Sequence, residues 1–236
     1  MSNQEYAGRD LEAMDFAQRY HRWILDEFRP FLGKTIAEVG AGSGGFSELL
    51  LNEPIERLVA IEPSARMLGI LERRLGSDER LVTERAILAE VAEAYTGKVD
   101  TLVYVNVLEH IQDDRAELSL AHGTLRPGGH VCIFVPALPW LYSEFDRSIG
   151  HHRRYWKEEL IGKVGAAGFE VRKARYFDFA GVLPWFVVYR LLGRTLASGH
   201  VQHYDRYVVP VMRRLEGAIT PPIGKNVLLV ARKPVH

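Results

Sequence analysis

"AEVGAGSGGF", residues 37–46, is the stretch that decides the fold. An apolar run, TIAEV (35–39), leads into it, and GFSELLLN (45–52), with helix-like spacing, leaves it. This reads as strand, glycine loop, helix. Glycines there permit positive φ and let the backbone approach a ligand closely. Gly40, Gly42 and Gly45 satisfy G-x-G-x-x-G, a weak signal alone. Glu38, Gly40, Gly42 and Gly44 also satisfy E-x-G-x-G-x-G. No Gly-Lys-Ser/Thr follows, which excludes a phosphate-cradling P-loop. Glu38 separates the remaining ligands. A carboxylate repels a dinucleotide pyrophosphate and favours a ligand carrying an ammonium and a sulfonium.

Working outward, strands and helices alternate. Residues 9–29 have the three-to-four apolar spacing of a helix, stopped by Pro30. RLVAIE (57–62) reads as a second strand, SARMLGILERRL (64–75) as a helix, and RLVTE (80–84) as a third strand. DTLVYVNVL (100–108) has near-continuous apolar content, as a strand buried on both faces would have. DRAELSLAHGTL (114–125) reads as a helix, PGG (127–129) as a turn and HVCIFVP (130–136) as a fifth strand. The helix KEELIGKVGAAG (157–168) precedes FEVRKARYF (169–177), and NVLLVARK (226–233) closes the chain as a strand. This alternation argues for an α/β parallel sheet. Glu62, ending the second strand, is placed to accept the two hydroxyls of a ribose.

Composition narrows the function classes. The chain has 236 residues, 47% hydrophobic and 25% charged, enough for a sizeable core. Thirty Lys+Arg balance thirty Asp+Glu, so no basic excess favours nucleic acid. The single cysteine, Cys132, sits in the apolar HVCIFV, reads as core and fits a reducing compartment. The polar, acidic N-terminus has no signal-peptide pattern, and no run reaches the ~20 apolar residues of a membrane span. The expectation is a cytoplasmic protein with no transmembrane segment.

The second half carries the larger pattern. EVGAGSGGF, AIEPSARM, VNVLEHI and LRPGGHV occur in order over residues 36–136. In this the chain resembles the class I S-adenosylmethionine-dependent methyltransferases of small-molecule type. The resemblance implies a doubly wound, Rossmann-like α/β fold: a seven-stranded, mostly parallel sheet, the last strand antiparallel, with a helical lid. It implies S-adenosylmethionine as cofactor. Gly40, Gly42 and Gly44 would pack under it, Glu38 would face its methionine part and Glu62 its ribose. Met67 would line the adenine, with recognition by the backbone around Ala86 and Ile87, since TERAILAE (83–90) has no aspartate. Asn106 would lie where the fourth strand opens toward the cofactor. Glu109 and His110 would begin the floor, with His110 structural rather than a base.

Residues 1–34 then form an N-terminal helix or lid, 35–136 the cofactor-binding core, 137–225 the acceptor-side loops and lid, and 226–236 the last strand of one methyltransferase domain. VPALPWLYSEFDRSIGHHRRY (135–155) is similar to a subgroup, some of whose members are connected with polysaccharide or glycolipid assembly and others with natural-product tailoring. Tyr142, Asp146, His151, His152, Arg153, Arg154 and Tyr155 fall within 14 positions after the fifth strand. Open α/β sheets bind ligands at that end of the strands. His151 or His152 is a candidate base and Tyr142 a catalytic candidate. Arg153 and Arg154 read either as an anion grip or as a surface pair. Tyr155 and, from the N-terminal helix, Tyr20 are substrate-binding candidates. D-x4-H-H matches no closed metal site, so no metal is expected.

In residues 178–225 apolar and aromatic residues alternate with arginines. Leu183, Trp185, Phe186, Val187, Tyr189, Leu191 and Leu192 are too many to leave exposed. They would cap the acceptor pocket, touch a membrane surface or form a homo-oligomer contact. The expected activity is methyl transfer to a small, partly apolar and optionally anionic acceptor, a natural product, a lipid-linked compound or a glycan. A nucleotide-binding oxidoreductase is disfavoured by Glu38 and LRPGGHV. A non-catalytic cofactor-binding scaffold and an RNA or protein methyltransferase stay open beside the small-molecule enzyme.

Overall fold

The fold is known from a computed structural model, which describes residues 17–191 and 202–235. TIAEV forms β1 (Thr35–Val39), and the next strands are β2 (Arg57–Ile61), β3 (Leu81–Glu84) and β4 (Val99–Val105). They are followed by β5 (Leu125–Pro136), β6 (Glu170–Phe177) and β7 (Asn226–Arg232). The sheet order is β3-β2-β1-β4-β5-β7-β6, with β7 antiparallel to both neighbours and the first five strands parallel. The strand order reverses at β1 and β4, where an open α/β sheet leaves its ligand crevice.

Both faces of the sheet are covered. Val131, Ile133 and Val135 of β5 point into one apolar layer. Cys132 and Phe134 point into the other, with Trp23, Ile24 and Phe28. That is why β4 and β5 read as unbroken apolar runs. LRPGGHVCIFVP runs as one strand, so PGG is not the expected turn. Gly128 takes φ +81°, the register with β4 shifts between Val99 and Thr101, and pairing continues.

α1 (Gln18–Phe28) buries Tyr20, Trp23, Ile24, Leu25 and Phe28. Eleven residues make a marginal helix in water. Each large apolar side chain buried contributes about 1.5–3 kcal/mol, so packing holds this one. Its N-terminus has no local side-chain cap. Asp205, far along the chain, accepts from the backbone N–H of Arg19 (3.2 Å) and Tyr20 (2.8 Å) instead. The expected helical residues 9–16 and Leu192 lie outside the described residues. α2 (Gly45–Leu51) follows the glycine loop, and α3 (Ala65–Leu75) starts at Ser64, whose hydroxyl accepts from Met67 N. The helices Leu88–Val91, Asp114–Thr124 and Lys157–Ala166 complete the alternation.

Two segments rise over the C-terminal edge of the sheet. The first holds the short helix Glu144–Ser148; the second runs from helix Val182–Trp185 into a wider π-helical stretch, Phe186–Leu191, and later into helix Val209–Ala218. Phe145 packs on Trp185 and Tyr189. Leu183, Val187 and Leu191 are exposed. They recur every four residues and so share the outer face, while Trp185 and Tyr189 share the inner one. Tyr207, Val211, Leu215 and Ile219 form a second exposed row. Among the described residues no helix is long and apolar enough to cross a membrane.

Candidate active site

One cavity opens at the carboxyl ends of β1, β4 and β5. The glycine loop forms one wall, Asn106, Glu109 and His110 the floor, and His151 and Arg154 the far side. Trp185 and Lys225 lean in from the second segment, and Tyr20 and His21 from α1.

The glycine loop is shaped by its neighbours. Gly40, Gly42 and Gly44 all have positive φ, and a Cβ on Gly40 would sit 2.5 Å from Val107 Cγ2. Gly40 N and Ala41 N donate to Ile61 O (2.8 and 3.2 Å), folding the loop back over β2. Glu38 is buried and accepts a hydrogen bond from the Ser47 hydroxyl. Burial pushes Glu38 up to about 8, against the pull of that bond. Asn106 has φ +54° where β4 ends, a backbone Asn tolerates better than most residues, and its N–H donates to Phe134 O (2.8 Å).

Glu62 binds the loop from behind. Its carboxylate accepts from Gly42 N (2.9 Å) and Ser64 N (2.8 Å). Burial raises its pKa and the two N–H groups oppose the rise. Glu62 and Met67 are not in the cavity wall; Met67 is buried under it. Ile87 is half exposed and outside the wall, and its N–H is taken by Glu90 Oε2 (3.0 Å). That N–H is satisfied within its own helix start.

Asp146 organises the acceptor side. Its Oδ1 receives Arg154 Nε (2.9 Å), Arg154 Nη2 (2.8 Å) and His151 Nδ1 (2.9 Å); its Oδ2 receives Ser143 N and Oγ (both 2.9 Å). Burial would raise Asp146, but His151 and Arg154 hold its carboxyl below the ordinary range. With Nδ1–H on Asp146, His151 turns Nε2 toward Glu109 Oε1, 3.7 Å away. His110 packs edge-on against His151, ring centroids 4.6 Å apart. Burial lowers His110 to about 4 and pushes Glu109 up to about 7.

Several expected acceptor residues are placed elsewhere. Arg153 and Arg154 are each paired with a carboxylate, and of the two only Arg154 lines the cavity. Arg154 is buried on Asp146, and Arg153 binds Asp114 (2.8 Å) and Gln112 O (2.6 Å). Tyr155 is fully buried with its hydroxyl 2.9 Å from Asp114 and 3.2 Å from Leu108 O, so it faces no acceptor. The Tyr142 hydroxyl donates to His151 O (2.7 Å) outside the cavity wall, a brace for the loop rather than a catalytic group. His152 is exposed and uses its N–H on Glu109 O (2.8 Å). Tyr20 is in the wall, its hydroxyl 3.1 Å from Asp178 and 3.0 Å from Asn226. Sequence reasoning missed Lys225, 3.1 Å from Asp178 and over the Trp185 ring. A lone lysine before a strand carries no local signal.

Residues 37–131 match the family described as methyltransferase domain. These residues carry a methyltransferase domain, in a fold shared with S-adenosylmethionine-dependent methyltransferases. A ubiquinone biosynthesis O-methyltransferase of Pseudomonas paraeruginosa is 30% identical over 110 residues, covering 46% of this chain and 47% of that protein. The namesake from Erwinia tasmaniensis is 26% identical over 141 residues, covering 59% and 52%. The chain thus spans about half the length of the relatives it matches. An S-adenosylmethionine-dependent methyltransferase of Archaeoglobus fulgidus shares the fold at TM-score 0.61, with 20% identity over 91% of this chain and 94% of that one. A Haemonchus contortus phosphoethanolamine N-methyltransferase does so at 0.66, with 15% identity over 98% and 58%.

S-adenosylmethionine is the cofactor of this family. The residues fit it. The positive-φ loop leaves no room for a Cβ at Gly40, and a buried carboxyl beside it suits a ligand that brings its own positive charge.

Proposed function

We propose that this chain transfers a methyl group from S-adenosylmethionine to a hydroxyl of a small, partly apolar acceptor. One observation carries the reading: the glycine loop and His151, held by Asp146, line the same cavity. Glu38, Gly40, Gly42, Gly44 and Asn106 would hold the cofactor from the strand ends. Glu62 would act on it while bracing the loop. Residues 137–225 would supply the acceptor side. Phe145, Ile149 and Trp185 make that side apolar, and Arg154 and Lys225 are neutralised by Asp146 and Asp178. This favours an uncharged acceptor over an anionic one.

S-adenosylmethionine supplies a methyl already activated by its sulfonium. The chain's part is to align the acceptor oxygen with it and exclude water. The hydroxyl proton would pass to Nε2 of His151, whose Nδ1 lies 2.9 Å from Asp146. The oxygen–methyl bond forms as the methyl–sulfur bond breaks, giving a methyl ether and a neutral thioether. Asp146 fixes the His151 ring and is itself fixed by Arg154 and Ser143.

The test is calorimetric titration with S-adenosylmethionine, S-adenosylhomocysteine and NAD. Micromolar binding of the first two, without NAD, is expected. Methylation assays on phenols and vicinal diols then follow. Binding of NAD alone, or of none, overturns the reading. Cofactor binding with no transfer to any acceptor would favour a non-catalytic scaffold.

A further inference from the structure

Glu109, His110 and His151 come together on the cavity floor. Each offers one ligand atom, and these atoms lie within 4.8 Å of one another. Glu109 is fully buried, and neither carboxylate oxygen has a hydrogen-bond partner among the described residues. His151 Nε2 stands 3.7 Å off, beyond hydrogen-bond reach. Burying a carboxyl this way is unfavourable unless something else binds it. Asp146, equally buried, shows the contrast, since both its oxygens are filled.

We propose that Glu109, His110 and His151 form a site for one divalent ion of zinc type, with its open positions facing the acceptor. Two imidazoles and one carboxylate are the donor set of catalytic zinc and of related first-row ions; magnesium and calcium prefer oxygen alone. Ligand distances of about 2.0–2.2 Å need only a modest closing of the three side chains. The support around them is that of a metal centre. A ligating histidine usually gives its second ring N–H to a carboxylate, and His151 Nδ1 is 2.9 Å from Asp146. Arg154 and Ser143 hold that carboxylate in turn. The D-x4-H-H spacing suggested no metal because it took Asp146 as a ligand. Asp146 stands behind the histidine, and the carboxylate ligand comes from the end of β4.

The role of the ion rests on the methyl-transfer reading; the site itself does not. A coordinated hydroxyl loses its proton to solvent more readily, so an acceptor with two neighbouring oxygens would be bound and ionised together. Nε2 of His151 then serves as a ligand rather than a base.

The experiment is titration of the chelator-stripped chain with Zn2+ by calorimetry and Co2+ by visible absorption. S-adenosylhomocysteine binding is measured in parallel. One equivalent is expected, with Co2+ d–d bands. Glu109→Gln and His151→Ala should each weaken it at least tenfold while S-adenosylhomocysteine still binds, which also reports that the variants are folded. Asp146→Asn should weaken it about 10–100-fold as an outer support. No stoichiometric binding, or equal binding in Glu109→Gln and His151→Ala, overturns the site. If either variant fails to fold, Asp146→Asn decides, and unchanged metal affinity in it overturns the site. Metal binding without S-adenosylhomocysteine binding would instead strike the methyl-transfer reading and leave the site standing.

Discussion

The Glu62 carboxylate accepts a hydrogen bond from the backbone N–H of Gly42 at 2.9 Å. The acid ending β2 thus shapes the glycine loop ending β1. Glu62→Ala should weaken S-adenosylmethionine binding by about 1–3 kcal/mol and lower thermal stability as well, because the buried Gly42 N–H and the part-buried Ser64 N–H lose their acceptor. Calorimetry and a thermal melt measure the two effects. Unchanged stability would mean the loop holds its shape without Glu62.

Gly40 and Gly97 separate strain from crowding. Both have positive φ, but a Cβ on Gly40 would meet Val107 while one on Gly97 meets nothing within 4 Å. Gly97→Ala should cost about 1 kcal/mol, the left-handed penalty alone. Gly40→Ala should cost clearly more and abolish cofactor binding. Equal costs in denaturant unfolding would show that Val107 moves aside.

Glu38 should make cofactor binding depend on pH. Its carboxyl is raised from 4.5 to about 8 in the free protein, so it is mostly protonated at pH 7. A cationic ligand favours the carboxylate, so binding should release a proton, and affinity should rise with pH up to about 8. The raised pKa also has a stability sign. Its contribution is fully present below pH 4.5 and is lost as pH rises through about 8. Calorimetry in buffers of different ionisation enthalpy reads the released proton, and Glu38→Gln should remove the buffer dependence.

Arg153 and Arg154 should behave oppositely. Arg154→Met leaves Asp146 buried without its guanidinium and should cost about 3–5 kcal/mol of stability. Arg153 is partly exposed, and Asp114 keeps Lys163 at 2.6 Å when it is gone. Arg153→Ala should therefore cost under about 1 kcal/mol and leave the acceptor KM unchanged. Steady-state kinetics and melts check both; a raised KM for Arg153→Ala would restore it to the acceptor site.

Legibility followed the range of the interactions. The strand, loop and helix around Gly40 were readable because glycine freedom and apolar runs act within a few residues. The parallel order and antiparallel β7 came with the ordered motifs. The cluster from Tyr142 to Tyr155 was located at the right end of the sheet but sorted poorly. Local order cannot tell Arg153 from Arg154, or His151 from His152, because neighbours diverge in direction. Glu109, which faces His151 across 3.7 Å, enters from another strand end.

The sequence by itself determined the α/β alternation, the glycine loop and the carboxyl beside it, since propensity, periodicity and turn chemistry are properties of short stretches. Only the tertiary structure decided which charges are spent on each other and which remain for a ligand. Arg154 is satisfied by Asp146, while Glu109 is left buried with no hydrogen-bond partner among the described residues. The physical reason is that pairing and burial depend on distances between segments far apart in the chain, and those distances exist only once the sheet has brought its strand ends together.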